Sequence, residues 1–228
     1  MGPSGTAVDR AWFVTIEGPD GGGKTTQAAL LADHLATRLP RVHLTREPGG
    51  TWLGERVREV LLSRTGSSHP TDPLTDAFLF NAARRQHVRE VIRPSLDAGT
   101  TVVCARYADS SLAYQGYGSG VPLETLRSLA DISTGGLVPD VTIVLDLPVE
   151  VGLARKEPGD VTRFEAEFDV AFHVRVRDGF LDIAAAEPGR VVIVDATGDV
   201  ATVASAVARA VDARLGSGEP EPTGVRNP

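Results

Sequence analysis

Cysteine is almost absent: Cys104 is the only one in 228 residues. An intramolecular disulfide is therefore impossible, and a reducing compartment, the cytoplasm, is expected. No apolar run approaches the ~20 residues of a membrane-spanning helix, so no membrane association is expected. The stretch Met1 to Arg10 lacks the apolar centre of a secretory signal peptide. Positive charge is also in deficit. The 23 Lys and Arg face 30 Asp and Glu, a formal net charge of −7, which argues against a broad nucleic-acid surface. Two nucleotide-binding signatures are missing as well: the Asn-Lys-x-Asp guanine motif of GTPases and the Leu-Ser-Gly-Gly-Gln-like stretch of transport ATPases.

What is present is an alternation of short apolar runs with longer amphipathic segments. Trp12 to Gly18, Arg41 to Arg46, Thr100 to Arg106, Val141 to Leu147 and Arg190 to Asp195 are rich in β-branched residues and read as buried strands. Helical patterns cover Thr25 to Leu39, Trp52 to Ser63, Asp76 to Leu96, Glu165 to Ala186 and Val200 to Leu215. Near-continuous apolar strands between helices indicate an α/β fold with a parallel sheet covered on both faces. One domain is expected over residues 11–215, after a short N-terminal extension (1–10) and before a tail (216–228) whose Gly, Pro and polar content predicts disorder.

The most specific feature is Gly18 to Thr25, GPDGGGKT, which matches G-x-x-x-x-G-K-[ST] between a predicted strand and a predicted helix. Glycines at Gly18, Gly21, Gly22 and Gly23 let backbone N–H groups converge on phosphate oxygens, and the helix adds its positive N-terminal end. Lys24 is expected on the β and γ phosphates of ATP and the Thr25 hydroxyl on Mg²⁺, with Asp20 and Thr26 beside them. A chain of this size, with this loop and scattered arginines, suits a nucleotide kinase that closes over its substrates to exclude water. A second cluster, TREPGGT (Thr45 to Thr51), follows the second strand. It reads either as a surface turn with a solvated arginine or as a ligand site at the carboxyl end of the sheet, with Arg46 as the ligand.

With IEGPDGGGKTTQ (Ile16 to Gln27), TREPGGT, FLFNAARRQH (Phe78 to His87), RYADSSLAYQG (Arg106 to Gly116) and RFEAE (Arg163 to Glu167) in this order, the chain resembles the thymidylate kinases from about Trp12 to Leu215. The resemblance implies a P-loop kinase fold with a five-stranded parallel sheet, ATP with Mg²⁺ as donor, dTMP as acceptor and a homodimer. It implies that Asp20 faces the acceptor sugar and that Arg46 and Arg106 hold the acceptor phosphate through paired hydrogen bonds. It further implies that Phe80 stacks on thymine, Arg84 bonds the pyrimidine carbonyl, and Tyr107 and Gln115 surround sugar and base. From the residues alone, Phe80 reads as a core residue of its helix. A lid over about 155–165 would bring Arg155, Lys156 and Arg163 to the transferring phosphoryl group, with Arg163 as the leading candidate.

Two acids of the family pattern are missing. Ala105 stands where an aspartate normally precedes the arginine at the third strand end, and Thr162 stands before Arg163. An acid at position 105 would help organise metal or phosphates. Asp146, at the end of the fourth strand, is another acid near that edge. The missing aspartate at position 105 leaves two alternatives to dTMP phosphorylation: a kinase of another or modified pyrimidine monophosphate, and a nucleotide-binding protein with weak turnover.

Overall fold

The computed structural model describes residues 10–62, 71–156 and 168–216. Five strands form one parallel sheet in the order β2-β3-β1-β4-β5: β1 Phe13–Glu17, β2 Val42–Arg46, β3 Thr101–Ala105, β4 Val141–Asp146 and β5 Val191–Asp195. All five lie where the apolar runs predict them. The three central strands are buried along nearly their whole length, because helices cover both faces.

Strand alternation sorts the core into two faces. Val14, Ile16, Val103, Ala105 and Ile143 face α1 (Lys24–Ala36) and α9 (Val200–Gly216), where Leu31, Leu35, Val203, Val207 and Val211 complete one apolar cluster. Val144, on the opposite face, packs with Phe172, Val176 and Phe180 of α8 (Val170–Ala186). Phe13, Val102 and Cys104 share that side with Tyr107, Val88 and Ile92.

The helix expected over Asp76 to Leu96 is three pieces. α3 (Pro73–His87) starts earlier, because Asp72 caps it, accepting from the N–H groups of Leu74 and Thr75 at 3.0 Å, with Pro73 preset for the first turn. A π-type segment (Val88–Ile92) follows, and then α4 (Arg93–Asp97), which carries Pro94 at its start. Pro94 has no N–H to give a continuous α-helix, so a widened turn precedes it. α2 spans Trp52–Leu62.

Between β3 and β4 lie elements that apolar periodicity does not single out: α5 (Ala108–Ser111), a π-type segment (Leu112–Gly118) and α6 (Leu123–Thr134). α7 (Val149–Ala154) follows β4. α8 begins at Val170, where Asp169 caps it by accepting from Phe172 N at 2.8 Å. Its predicted first residues, the RFEAE motif with Arg163, and residues 1–9 of the N-terminal extension (1–10) lie outside the described residues, as does the tail beyond 216.

Candidate active site

β1 ends in the middle of the sheet and releases the phosphate loop there. Gly18 has φ 133°, and a Cβ on it would stand 2.5 Å from the carbonyl oxygen of Leu145 on β4. Gly21, at φ 75°, passes so close to Gly152 that a Cβ on it would collide with that residue's carbonyl. Glycine is thus required at both positions, by backbone angle and by contact with β4 and α7. α1 starts at Lys24, which points the N-terminal end of a 13-residue helix at the loop.

A cavity of about 890 Å³ opens over this loop. Asp20 to Thr26 form its floor, and Thr25 and Thr26 are exposed to it. One end is walled by Arg155, Lys156 and the β5–α9 connection, where Ala196, Gly198 and Val200 stand. The other end is walled by Phe80 of α3, Arg58 of α2, and Ser110, Ser111, Tyr114 and Gln115 after β3.

Charge is concentrated where the two ends meet. Arg106 Nη2 donates to Asp20 Oδ1 at 2.6 Å, and its guanidinium lies 4.9 Å from the centre of the Tyr114 ring. Burial alone raises a carboxyl pKa, but Arg106, Lys24 and Lys156 outweigh it and bring Asp20 down to about 2. Asp20 is therefore an anion at any physiological pH. Burial likewise opposes the charge on Arg106, and Tyr114 and Asp20 more than offset it, so its pKa is raised. Lys24 Nζ donates to the carbonyls of Gly18 (2.9 Å) and Pro19 (2.7 Å) and lies 4.0 Å from Asp20. Burial, and then the nearby Arg106, bring the Lys24 pKa down to about 7, against the pull of Asp20 and Glu17.

Most residues expected from sequence converge on this cavity. The loop glycines 21–23, Lys24, Thr25, Thr26, Asp20, Phe80, Arg106, Gln115 and Arg155 are all in its wall. Gly18 is buried behind the floor. Three of the residues expected to bind substrate do not line the cavity. Tyr107 is 1% exposed and turns into the core, edge-on to Phe13 at 4.9 Å, with its hydroxyl donating to Leu137 O. A φ of 69° at Arg106 reverses the chain there, so the next side chain points inward. Arg84 is not in the wall either. Its Nε donates to Glu47 Oε2 (2.8 Å), Nη1 to Asn81 Oδ1 (3.0 Å) and Ser111 Oγ (3.1 Å), and Nη2 to the Tyr107 carbonyl (2.9 Å). It acts as the strut behind Ser111 and Glu47, which are themselves in the wall. Arg46 lies outside the wall, half-exposed, with its Nη2 on the Glu55 carboxylate at 3.1 Å. Its neighbour Arg58, braced by a bond to Pro48 O, stands in the wall instead.

Asp146 does not take the place of the missing acid at 105. Ala105 pairs with Ile16 and shares its α1-facing side. Asp146 is held by Arg177 of α8 through two bonds of 2.7 and 2.9 Å. Among residues that sequence reasoning passed over, Arg58, Ser110, Ser111 and Tyr114 are the main ones. The last three sit in the RYADSSLAYQG motif, which was the available signal.

A phosphate loop at the carboxyl edge of a parallel sheet, facing an arginine–acid pair across one cavity, defines a P-loop phosphotransferase of the nucleotide-kinase class. The sequence model for thymidylate kinase matches residues 16–207. A thymidylate kinase of Thermomicrobium roseum is 51% identical over 199 residues, covering 86% of this chain and 92% of that protein. One of Deinococcus radiodurans is 50% identical over 191 residues, covering 83% and 91%. The crystal structure of thymidylate kinase from Ehrlichia chaffeensis superposes with a TM-score of 0.71 at 36% identity, covering 89% of this chain and 99% of that one. The chain belongs to the thymidylate kinase family.

Proposed function

We propose that this chain transfers the γ-phosphoryl group of ATP to dTMP, giving dTDP and ADP. The observation that carries it is the Arg106–Asp20 pair standing beside the phosphate loop in one cavity, in a chain of this family. A dTMP phosphate oxygen forms the new bond to the γ phosphorus as the β–γ bridging bond breaks, and ADP leaves. Such a transfer asks the protein for position and for positive charge near the equatorial oxygens. Lys24 leaves the two loop carbonyls for the β and γ phosphates. Arg106 and Arg58 hold the acceptor phosphate, with Arg46 held at the rim by Glu55. Phe80 stacks on the base, Gln115 and Ser111 meet its edge, and Asp20 and Tyr114 meet the sugar.

Mg²⁺ fits this donor set. Among the described residues no group of three or more His, Cys, Asp or Glu could cage a metal, and the Thr25 hydroxyl is exposed at the loop. The Thr25 hydroxyl would hold it together with triphosphate oxygens and waters, the oxygen ligands this ion prefers. When bound, it neutralises phosphate charge. Arg155 donates to the carbonyls of Ala196 (2.8 Å) and Thr197 (3.0 Å) and so shapes the donor end. Arg163 is the proposed lid arginine.

A homodimer is proposed through α2 and α3, where Trp52 (77% exposed), Val60 (67%) and Phe78 (54%) leave apolar surface uncovered. No helix among the described residues is long and apolar enough to cross a membrane, and Cys104 is free; both suit the cytoplasm. The test is an ADP-coupled assay across the nucleoside monophosphates with Mg²⁺–ATP. Turnover highest with dTMP is expected, and faster turnover of another monophosphate would overturn the acceptor assignment.

A further inference from the structure

Glu17, the last residue of β1, stands inside the IEGPDGGGKTTQ stretch, but none of the roles assigned so far falls on it. It is fully buried, and its carboxylate accepts three hydrogen bonds from one turn. Tyr107 N donates to Oε1 at 2.6 Å, Ser110 N to Oε1 at 3.3 Å, and Ser110 Oγ to Oε2 at 2.6 Å. That turn carries Arg106 in the left-handed region, φ 69°. For a side chain with a Cβ this conformation is strained and persists only where the surroundings impose it. Arg106 N donates to Ile16 O at 2.9 Å on one side, and Glu17 holds Tyr107 N on the other. The Ser110 hydroxyl also lies 3.5 Å from Arg106 Nη1. The carboxylate, the hydroxyl, the guanidinium and Asp20 thus form one connected path from the sheet to the acceptor side of the cavity.

We propose that Glu17 is a positioning residue for the acceptor: its buried carboxylate fixes the 106–110 turn and so sets the Arg106 guanidinium against Asp20 and the acceptor phosphate. The proposal rests on the nucleotide-kinase reading above. An amide in this fully buried place would keep the two N–H bonds on its oxygen and meet the Ser110 hydroxyl with its NH2, at lower desolvation cost, so holding the turn does not by itself require a charge. Arg106 is the group that gains from the charge.

The groups facing Glu17 are Cys104 and Arg106 at the end of β3, Asp109 on α5, which is itself bound by Arg190 at 2.7 Å, and Lys24 at the start of α1. Burial first, and then Asp109, push the Glu17 carboxyl up to about 7, while the Ser110 bond, Arg106 and the Tyr107 N–H pull it down. The ionised form accepts all three bonds and balances Arg106. Acceptor kcat/KM is therefore expected to fall as pH drops through about 7.

The test compares wild type with Glu17→Gln at saturating Mg²⁺–ATP, where bound phosphates keep Lys24 charged. Glu17→Gln is expected to lower kcat/KM for dTMP by about tenfold, with KM for ATP within about twofold of wild type. It is also expected to remove the acid limb near pH 7, leaving only that of the substrate phosphate. In an Arg106→Ala background the same substitution should cost less than about twofold, because residues acting as a unit are not additive. An unchanged acceptor kcat/KM and pH profile would overturn the proposal, as would an equal loss in both backgrounds. If Glu17→Gln is unfolded by circular dichroism, Ser110→Ala decides: a selective acceptor loss supports the path, and parental kinetics overturn it. If wild type turns over another monophosphate rather than dTMP, the acceptor reading fails and the comparison is run with that monophosphate. No turnover with any monophosphate overturns both.

Discussion

Arg106 Nη2 lies 2.6 Å from Asp20 Oδ1, a bond that joins the end of β3 to the phosphate loop after β1. The same carboxylate is 4.0 Å from Lys24. One acid therefore sits between the lysine of the donor side and the arginine of the acceptor side. Asp20→Asn keeps the shape and removes the charge. It is expected to raise KM for dTMP by about tenfold or more while changing KM for ATP much less, since a charge-assisted bond is about twice as strong as a neutral one. Steady-state kinetics at pH 7.5 check this, and equal changes in both KM values would contradict it.

Lys24 carries the donor prediction. Lys24→Ala should abolish turnover in a folded protein, because the ammonium acts on charge that develops during transfer. Its pKa of about 7 adds a second outcome. At pH 8 the free amine is largely neutral, and a bound triphosphate favours the charged form. ATP binding should therefore take up a proton, seen as buffer-dependent heat in calorimetry, and Lys24→Ala should lose that dependence.

Arg84 is 2% exposed and Glu47 5%, so Arg84→Ala leaves a buried carboxylate without its strongest partner. Breaking such a pair costs about 3–5 kcal/mol. A large drop in melting temperature is expected, together with weaker dTMP binding, because Ser111 and Glu47 in the wall lose their brace. Affinity for ATP should change less. A variant with wild-type stability would show that the pair is not the strut described here.

Glu17 makes a stability prediction distinct from its kinetic one. Its carboxyl is raised from about 4.5 to about 7, so the folded chain holds a proton that the unfolded chain has released. The stability this contributes is complete below about pH 4.5 and is lost as pH rises through about 7, a change of order 3 kcal/mol. Glu17→Gln lacks this dependence. Thermal melts from pH 5 to pH 8 should move in favour of the variant as pH rises, while its acceptor kinetics stay impaired.

Ala105→Asp restores the acid of the family pattern. Position 105 lies on the α1 side of the sheet, beside Ile16, at the carboxyl end of β3. A carboxylate there would stand on the face of the sheet that α1 covers, at the edge where the phosphate loop leaves β1. A rise in kcat of at least tenfold, about 1.4 kcal/mol of transition-state stabilisation, is expected at saturating Mg²⁺, ATP and dTMP. Thermal stability should fall, because Ala105 is buried in an apolar cluster. An unchanged or lower kcat in the folded variant would mean that this site works without an acid at that position.

The amino-acid sequence by itself determined the strands and the phosphate loop with Lys24, while Asp20 and Arg106 were placed by the family resemblance. The strands and the loop follow from local facts: β-branched apolar runs, glycine spacing, and a motif whose backbone geometry is set within eight residues. Phe80 and Gln115 were legible through the family pattern, and both stand in the cavity wall. The tertiary structure alone decided the rest. Whether Arg84 reaches the cavity or braces it depends on Glu47, Ser111 and Tyr107, which come from three distant segments. Whether Tyr107 faces the sugar or the core depends on one positive φ at Arg106, which no residue type announces. Asp146 and Ala105 end neighbouring regions of one sheet, yet strand alternation and Arg177 put that acid on the other face. Glu17 reads in the sequence as one more strand residue. Only the packing of β1 against the turn after β3 turns its carboxylate into the acceptor of three bonds. Long-range pairing fixes such roles, because a buried polar group takes its meaning from the partners that the fold brings to it.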